Sequence, residues 1–382
     1  MSFWGSIVLV VLAGLALGGF AATQPKWNID TIGYAAAAHR LLGASDADVH
    51  TRVYADMNAS APAKSRRDIS SSSEYRVTIA ADPRAFATQI DFYAHKYLYV
   101  IAVALAMQPG ANSVAATFYV SAAALALLAM VWLVALLRIT NAPLAWGVGL
   151  CVLLSPPLRE LGRLATPDAL AVLFMFAGAC ILLMAERRRW LALVPWLAAI
   201  GTRSDSVLFV IALLSWLAWC EPEVRRFALG GAALCVLACA AVSLADPYPW
   251  STLISHAFFD RITDQSLAER GSTVDPVRYL AALARGLRGD FVKHESNSFF
   301  FIALSLVVLW GRARKGDAAP DPRLRLHGLI WAAAGLHFLV FPMLADRFFI
   351  AHYLTVTWLA VAGLRPTQTE AHRYTFGVNV NS

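Results

Sequence analysis

Residues 113–137 read SVAATFYVSAAALALLAMVWLVALL, and none of these 25 side chains is charged. A helix of this length extends about 37 Å, which exceeds the roughly 30 Å of hydrocarbon in a bilayer. Lipid offers the backbone no hydrogen-bonding partner, and a helix bonds its own N–H and C=O groups. The stretch therefore predicts a membrane-spanning α-helix.

The whole chain has the same apolar character. Of its 382 residues, 58% are hydrophobic and 15% are charged, and the mean hydropathy is +0.57. These values exclude an ordinary cytosolic protein, because such proteins carry about 25% charged residues. They also exclude a disordered chain, a collagen-like repeat and a disulfide-stapled miniprotein.

Further apolar runs on both sides of residues 113–137 predict an all-α, multi-pass transmembrane bundle with about ten spans. Residues 1–364 would form one transmembrane domain, followed by a cytoplasmic tail over 365–382. The first run resembles a signal peptide in its small C-terminal residues, but its length and the absence of a preceding Lys or Arg favour a retained helix. The predicted spans are 3–22, 113–137, 142–155, 168–185, 190–202, 205–220, 227–244, 297–311, 326–342 and 348–364.

The positive charges predict the orientation of these spans. With a cytoplasmic N-terminus, the linkers after even-numbered spans and the tail contain 13 Lys and Arg, and the short linkers on the other face contain 4. Cytoplasmic linkers are typically enriched in these residues. One long helix over 190–220 would reverse this pattern downstream, so we expect a break at 201–205. The formal charge of +7 then serves orientation, and no nucleic-acid partner is expected.

Two long polar segments, 23–112 and 245–296, would share the extracytoplasmic face and carry short interfacial helices. In the first, 31–42 and the aromatic stretch 86–107 are expected to be helical. Residues 58–74, NASAPAKSRRDISSSSE, have the Ser, Ala and charge content of a mobile excursion.

Asp30 follows the first span by eight residues, in the sequence WNIDTIGY. A carboxylate at the outer membrane surface can accept the proton of a substrate hydroxyl that comes within hydrogen-bonding distance. The alternative is a structural acid at the N-terminus of helix 31–42, where the helix dipole favours it. Asp91, at the head of the aromatic stretch, is the second-choice acid.

The outer linkers contain arginines that could bind a phosphate. Arg159 and Arg163 are four residues apart, so a helix would place them on one face. Asp168 is equally well read as a first-turn acid after Thr166 and Pro167. Arg203 has Asp205 beside it, which is typical of a structural ion pair.

The stretch ADRFFIAHY places Arg347 and Tyr353 at the outer end of the last predicted span. An interfacial arginine either meets a lipid phosphate or only extends its charge toward water. His256, Asp260, Asp264, Asp275 and Tyr279 are candidates for acceptor contacts in the second polar segment. A Walker loop, a GxSxG elbow, an HExxH motif and a dinucleotide fingerprint are absent from the sequence, so the chemistry of those motifs has no support.

The order of these features resembles the GT-C superfamily of multi-pass glycosyltransferases, which use polyprenyl-phosphate sugar donors. One span leads to a large outer loop that opens with an acid, followed by FYAHKYLYVIAVAL, RELGRLATPDALAVLF, TRSDSVLF and DRFFIAHYL. The similarity extends over most of the chain to residue 364. Thr31 follows Asp30 where some members have a second carboxylate.

The resemblance implies transfer of a sugar from a polyprenyl-phosphate donor to a glycan, lipid or protein acceptor outside a bacterial inner membrane. Asp30 would be the general base, and a divalent cation, Mg or Mn, remains open as a cofactor. The implied phosphate ligands are Arg347, Arg159, Arg163 and Arg203. The implied acceptor or sugar contacts are Tyr34, His95, Lys96, His256, Asp168 and Tyr353.

Two other functions are compatible with the same residues. A lipid or solute transporter would place ionisable residues near the bilayer midplane and break its helices there. A non-catalytic assembly subunit would present its outer loops to a partner protein. Only the enzyme would consume a polyprenyl-phosphate sugar donor, so donor consumption distinguishes it from both alternatives.

Overall fold

The computed structural model describes residues 3–108, 110–293, 297–313 and 322–363. It is all-helical, with 84% helix and no strand in the described part, which confirms the predicted all-α class. The predicted tail 365–382 lies outside the described residues.

The described ranges contain twenty α-helices. They are α1 Phe3–Thr23, α2 Asp30–Leu41, α3 Asp46–Ser60, α4 Ala63–Ser71, α5 Glu74–Ala81, α6 Pro83–Ala94, α7 Tyr97–Met107, α8 Ser113–Ile139, α9 Ala142–Leu153, α10 Pro156–Arg163, α11 Asp168–Met184, α12 Leu193–Thr202, α13 Val207–Cys220, α14 Arg225–Leu244, α15 Trp250–Phe258, α16 Gln265–Arg270, α17 Pro276–Lys293, α18 Ser298–Ala313, α19 Pro322–Val340 and α20 Ile350–Gly363. Short 3-10 helices lie at Glu186–Ala192, Ser204–Ser206, Pro222–Val224 and Asp346–Phe348.

Each predicted span coincides with a helix, and the predicted break at 201–205 is present as the 3-10 turn Ser204–Ser206. The number of spans is different. In the described ranges, three helices are long and apolar enough to cross a membrane, or five if each of two bent pairs is one span. Helices α9 and α12 have only 12 and 10 residues, which is shorter than the roughly 20 that a perpendicular crossing requires. Ten crossings are therefore not supported by helix length.

The main hydrophobic core lies between the apolar helices, with Trp132 and Trp196 fully buried within it. Helix α1 packs along α8 at short range because Gly18 has no side chain. A Cβ at Gly18 would come within 2.8 Å of the Ala126 methyl group. Small residues allow helices to approach each other closely where the driving force is packing.

The first polar segment contains six helices, α2–α7, and this corrects two predictions. Residues 58–74 are mostly helical, and Met57, Ile69 and Ile79 of α3, α4 and α5 are each 1% exposed in a second core. The aromatic stretch 86–107 is two helices, α6 and α7, bent by 113°. Apolar side chains spaced along short polar helices bury one face of each, and composition alone did not show this.

The ends of the bundle helices differ in their charges. At one end, α11 begins at Asp168, α12 leads to Arg203, and α20 follows Arg347. At the opposite end, Arg189 at the end of the α11–α12 connection pairs with Glu221 after α13. The first end also receives the described residues of the two polar segments, 23–108, 110–112 and 245–293, and the candidate site lies there.

Candidate active site

A cavity of about 920 Å³ lies where the polar segments meet this end of the bundle. Its charged lining comes from both polar segments, from α11, from the α12–α13 turn and from the segment before α20. The carboxylates are Asp30, Asp168, Asp205 and Asp246, and the cations are Arg76, Lys96, Arg203, Arg261 and Arg347.

Asp30 begins α2, and its carboxylate is held by two donors. The Asn28 amide donates to Oδ2 at 2.9 Å and the Tyr93 hydroxyl donates to Oδ1 at 3.2 Å. One quarter of the side chain is exposed, and Arg347 Nη1 lies 3.9 Å from Oδ2. Burial raises the pKa of Asp30, and the Arg347 guanidinium opposes that shift. A carboxylate with a raised pKa is a stronger proton acceptor.

Asp168 lies beneath Asp30, is 2% exposed, and is shared by two arginines. Arg203 Nη1 donates to its Oδ1, and Arg347 Nε lies 3.6 Å from its Oδ2. Arg203 Nε also donates to Asp205 at 3.0 Å. We call Asp30, Asp168, Arg203, Asp205 and Arg347 the floor cluster. Asp168 lies in the first turn of α11, but its carboxylate is committed to this cluster.

The guanidinium planes of the floor cluster are also held by an aromatic ring. Arg203 Cζ lies 4.4 Å and Arg347 Cζ 5.0 Å from the centre of the Phe348 ring. A cation over a ring face is attracted by the ring quadrupole. The contacts with carboxylates and with Phe348 together fix where these two cations lie.

Three other predicted contacts line the wall of the cavity. Tyr34 packs edge-on against the Tyr93 ring, with centres 4.9 Å apart. Lys96 lines the cavity beside His95, whose Nδ1 lies 3.5 Å from Asp246 Oδ2. These residues come from α2 and from the bend between α6 and α7.

His256 of α15 also lines the cavity. Its ring stacks on Phe92 at 4.1 Å, and its Nδ1 accepts the Ile262 N–H at 3.1 Å. Burial lowers the pKa of His256 to about 3, so the ring is neutral near pH 7. With Nδ1 as an acceptor, the neutral tautomer carries its proton on Nε2.

Eight predicted site residues do not line the cavity, and four of them, Asp260, Asp264, Asp275 and Tyr279, belong to the second polar segment. The Asp91 carboxylate pairs with Arg40 Nη1 at 2.5 Å and accepts a hydrogen bond from the Tyr248 hydroxyl at 3.3 Å. These contacts give Asp91 a structural role. Arg159 is exposed on α10, and Arg163 donates to the Gln24 carbonyl group. Tyr353 is fully buried. Its hydroxyl contacts Ser298 at 2.7 Å and Asp346 at 3.1 Å.

Sequence reasoning missed Tyr93, Tyr75, Arg76 and Arg261 as parts of the cavity lining. Tyr93 was assigned only to the interfacial aromatic stretch. Arg76 follows the stretch expected to be mobile, and Arg261 lies in a segment without a recognisable motif. The only sequence pattern that pointed to Arg76 was its position next to an aromatic residue, Tyr75, in a predicted outer loop.

A divalent cation does not fit the described side chains around Asp30. In the described ranges, His, Cys, Asp and Glu side chains do not assemble three or more at any site that could hold a metal ion. The neighbours of the Asp30 carboxylate are an amide, a phenol and a guanidinium, none of which supplies a second anionic ligand.

No protein-family model, curated protein or solved structure matches the chain.

Proposed function

We propose that the protein is a membrane glycosyltransferase that moves a sugar from a polyprenyl-phosphate donor to an acceptor on the extracytoplasmic face. The observation that carries this proposal is the convergence of Asp30 and Arg347 in one cavity, 3.9 Å apart, from opposite ends of the chain. A base beside a cation is what transfer from a lipid phosphate to a hydroxyl group requires.

In the proposed reaction, the Asp30 carboxylate accepts the proton of the acceptor hydroxyl group. The acceptor oxygen forms a bond to the anomeric carbon, and the bond from that carbon to the phosphate oxygen breaks. The electron pair of the broken bond remains on the departing polyprenyl phosphate. Arg347 offsets this charge, since a preorganised donor directed at developing charge is an effective catalyst.

The structure supports the other three predicted phosphate ligands to different degrees. Arg203 lines the cavity but already pairs with Asp168 and Asp205, so its main role is to fix the floor cluster. Arg159 and Arg163 lie outside the lining and are dropped from the proposal. Tyr34, His95, Lys96 and His256 remain proposed sugar or acceptor contacts.

The proposed setting is a bacterial inner membrane in which the apolar helices of the bundle are embedded, with both chain termini cytoplasmic. Three helices with the length and composition of membrane spans support the membrane part of this proposal. The cavity lies at the end opposite Arg189 and Glu221, which agrees with an outward-facing site under the charge rule.

The test is donor consumption by purified protein reconstituted with radiolabelled polyprenyl-phosphate sugars and a mixture of envelope acceptors. Asp30→Asn should lower turnover by about 10²–10⁴-fold, the range for loss of a general base. Membrane insertion should be retained. Asp260→Asn is the matched control, because Asp260 is exposed and pairs with Arg278 outside the cavity.

Near-normal turnover in Asp30→Asn would exclude the proposed base. Donor that remains intact with every sugar and acceptor, while the protein moves lipid or solute between compartments, would favour the transporter instead.

A further inference from the structure

The four arginines that line the cavity fall into two groups. Arg203 and Arg347 have carboxylate partners in the floor cluster. Among the residues that the structure describes, no carboxylate lies within 4.0 Å of the side-chain nitrogens of Arg76 or Arg261. The site thus contains positive charge that the floor cluster does not neutralise.

Arg76 and Arg261 line the same cavity as Tyr75, and they come from different polar segments. Arg76 follows Tyr75 in α5, and Arg261 Cζ lies 5.5 Å from the centre of the Tyr75 ring. Arg76 Nη1 also donates to Ser72 Oγ at 2.7 Å. We call Arg76 and Arg261 the rim arginines.

A buried glutamine joins the two segments at this point. Gln89 is 2% exposed, accepts the Tyr75 hydroxyl at 2.8 Å and donates to the Ile262 carbonyl group at 2.8 Å. The Ile262 N–H donates to His256 Nδ1. Both backbone groups of the residue after Arg261 are therefore fixed by side chains, those of Gln89 and His256.

This arrangement has the properties of a preformed anion site. Two guanidinium groups that line one cavity repel each other, and a bound anion reduces that repulsion. Arginine offers parallel N–H donors that match a carboxylate or a phosphate. Burial raises the pKa of Tyr75 to about 12, and the positive charges of Arg261 and Arg76 oppose the rise.

The neighbouring side chains indicate what carries the anion. Tyr75, Trp250 and the stacked pair of Phe92 and His256 line the same cavity. Aromatic faces of this kind bury the apolar face of a sugar ring, and His256 offers one N–H donor.

We infer that the rim arginines form a second anion subsite that binds the carboxylate or phosphate group of an anionic carbohydrate. This inference rests on the proposed function, because it assigns that carbohydrate as the acceptor. The donor phosphate belongs to Arg347 in the floor cluster. The enzyme then accepts acidic sugars in preference to neutral ones.

Direct binding to the full-length protein in neutral-lipid nanodiscs tests the subsite without any need for turnover. The acceptor probes are methyl glucuronide, glucose 6-phosphate and, as the uncharged match, methyl glucoside. Farnesyl phosphate is the lipid probe and inorganic phosphate the free-anion probe. The variants are Arg76→Gln with Arg261→Gln, the charge-retaining pair Arg76→Lys with Arg261→Lys, Arg347→Gln, and Arg159→Gln as an exposed control.

The native protein should bind at least one acidic sugar about tenfold more tightly than methyl glucoside, the effect of one charge-assisted hydrogen bond. The double glutamine variant should lose the tenfold preference for the acidic sugar and bind farnesyl phosphate with unchanged affinity. Arg347→Gln should show the reverse, and Arg159→Gln should change neither. Partial rescue by the lysine pair would support a charge role.

Three results would overturn the inference. These are equal binding of charged and neutral sugars, acidic-sugar binding that survives both double variants, or a double glutamine variant that loses only farnesyl phosphate. Acidic-sugar binding that inorganic phosphate displaces at equal concentration would also reject a carbohydrate subsite. If acidic sugars bind as expected but donor is never consumed, the subsite stands and the proposed transfer reaction fails.

Discussion

The floor cluster and the rim arginines contain the same type of cation in opposite settings. In the floor cluster, Asp168 is 2% exposed and contacts both Arg203 and Arg347. At the rim, Arg76 is partly exposed, Arg261 is exposed, and neither contacts a carboxylate in the described part of the chain. Buried charges must be satisfied by their neighbours, whereas charges in contact with solvent can be left for a ligand. The comparison predicts the largest stability effect at Asp168, in the floor cluster, and binding effects at the rim.

The largest effect is expected at the centre of the floor cluster. Asp168→Asn removes the carboxylate that two guanidinium groups share, and breaking a buried pair typically costs about 3–5 kcal/mol. Unfolding of the purified protein in detergent, followed by circular dichroism, measures this loss. The control is Glu160→Gln, which breaks the exposed pair with Lys26 and should cost about 0–1 kcal/mol. Equal losses in both variants would contradict the difference between buried and exposed charges.

Arg347→Gln should affect chemistry more than stability, because this arginine is about a quarter exposed. We expect turnover to fall about 10²-fold, the loss seen when one donor to developing charge is removed. Asp30 acts as an anion, so the rate falls as pH falls through its pKa. Because Arg347 lowers that pKa, the acid limb of the pH profile should move to higher pH in the variant. An unmoved limb would show that Arg347 does not act on Asp30.

A smaller effect is expected where the backbone of α2 touches Tyr93. A Cβ at Gly33 would lie 2.3 Å from the Tyr93 ring, so Gly33→Ala must displace the phenol that donates to Asp30. We expect turnover to fall about tenfold through this misplacement. Gly147→Ala is the control, since a Cβ there meets no atom within 4 Å. Turnover rates measured with the same donor distinguish the two variants. Equal rates would show that Tyr93 does not position Asp30.

The smallest effect on turnover is expected at Asp91, outside both regions. Asp91→Asn weakens the contacts with Arg40 and Tyr248 and should destabilise the protein by about 1–3 kcal/mol. Turnover per folded molecule should change less than about threefold on the same reasoning. A loss comparable to that of Asp30→Asn would restore Asp91 as the catalytic acid.

The sequence alone predicted the helices of the bundle and part of the cavity lining. Apolar runs locate helices because each must bury or shield a continuous surface, and the Arg203–Asp205 break was visible as charge within such a run. The number of crossings was not predictable in the same way. Short apolar helices such as α9 and α12 show the same apolar pattern, but with 12 and 10 residues they are shorter than a perpendicular crossing requires.

The polar segments show why the rest could not be predicted. Residues 58–74 have the composition of a mobile segment, yet Ile69 packs into a core whose other members lie elsewhere in the chain. The contact between Gln89 and Ile262 spans 173 residues, and no local pattern marks it. Asp30 and Arg347 could be singled out because Asp30 lies eight residues after one apolar run and Arg347 directly before another.

The shortness of the helices beneath the floor cluster has a consequence for its surroundings. Helices α13 and α20 contain 14 residues each, so they extend only about 21 Å, well below the roughly 30 Å of a lipid hydrocarbon layer. In the proposed membrane this hydrophobic mismatch obliges the adjacent leaflet to thin. Lipid phosphates would then descend toward the level of Arg347, so that a tethered headgroup could slide in sideways while its tail stayed among the acyl chains.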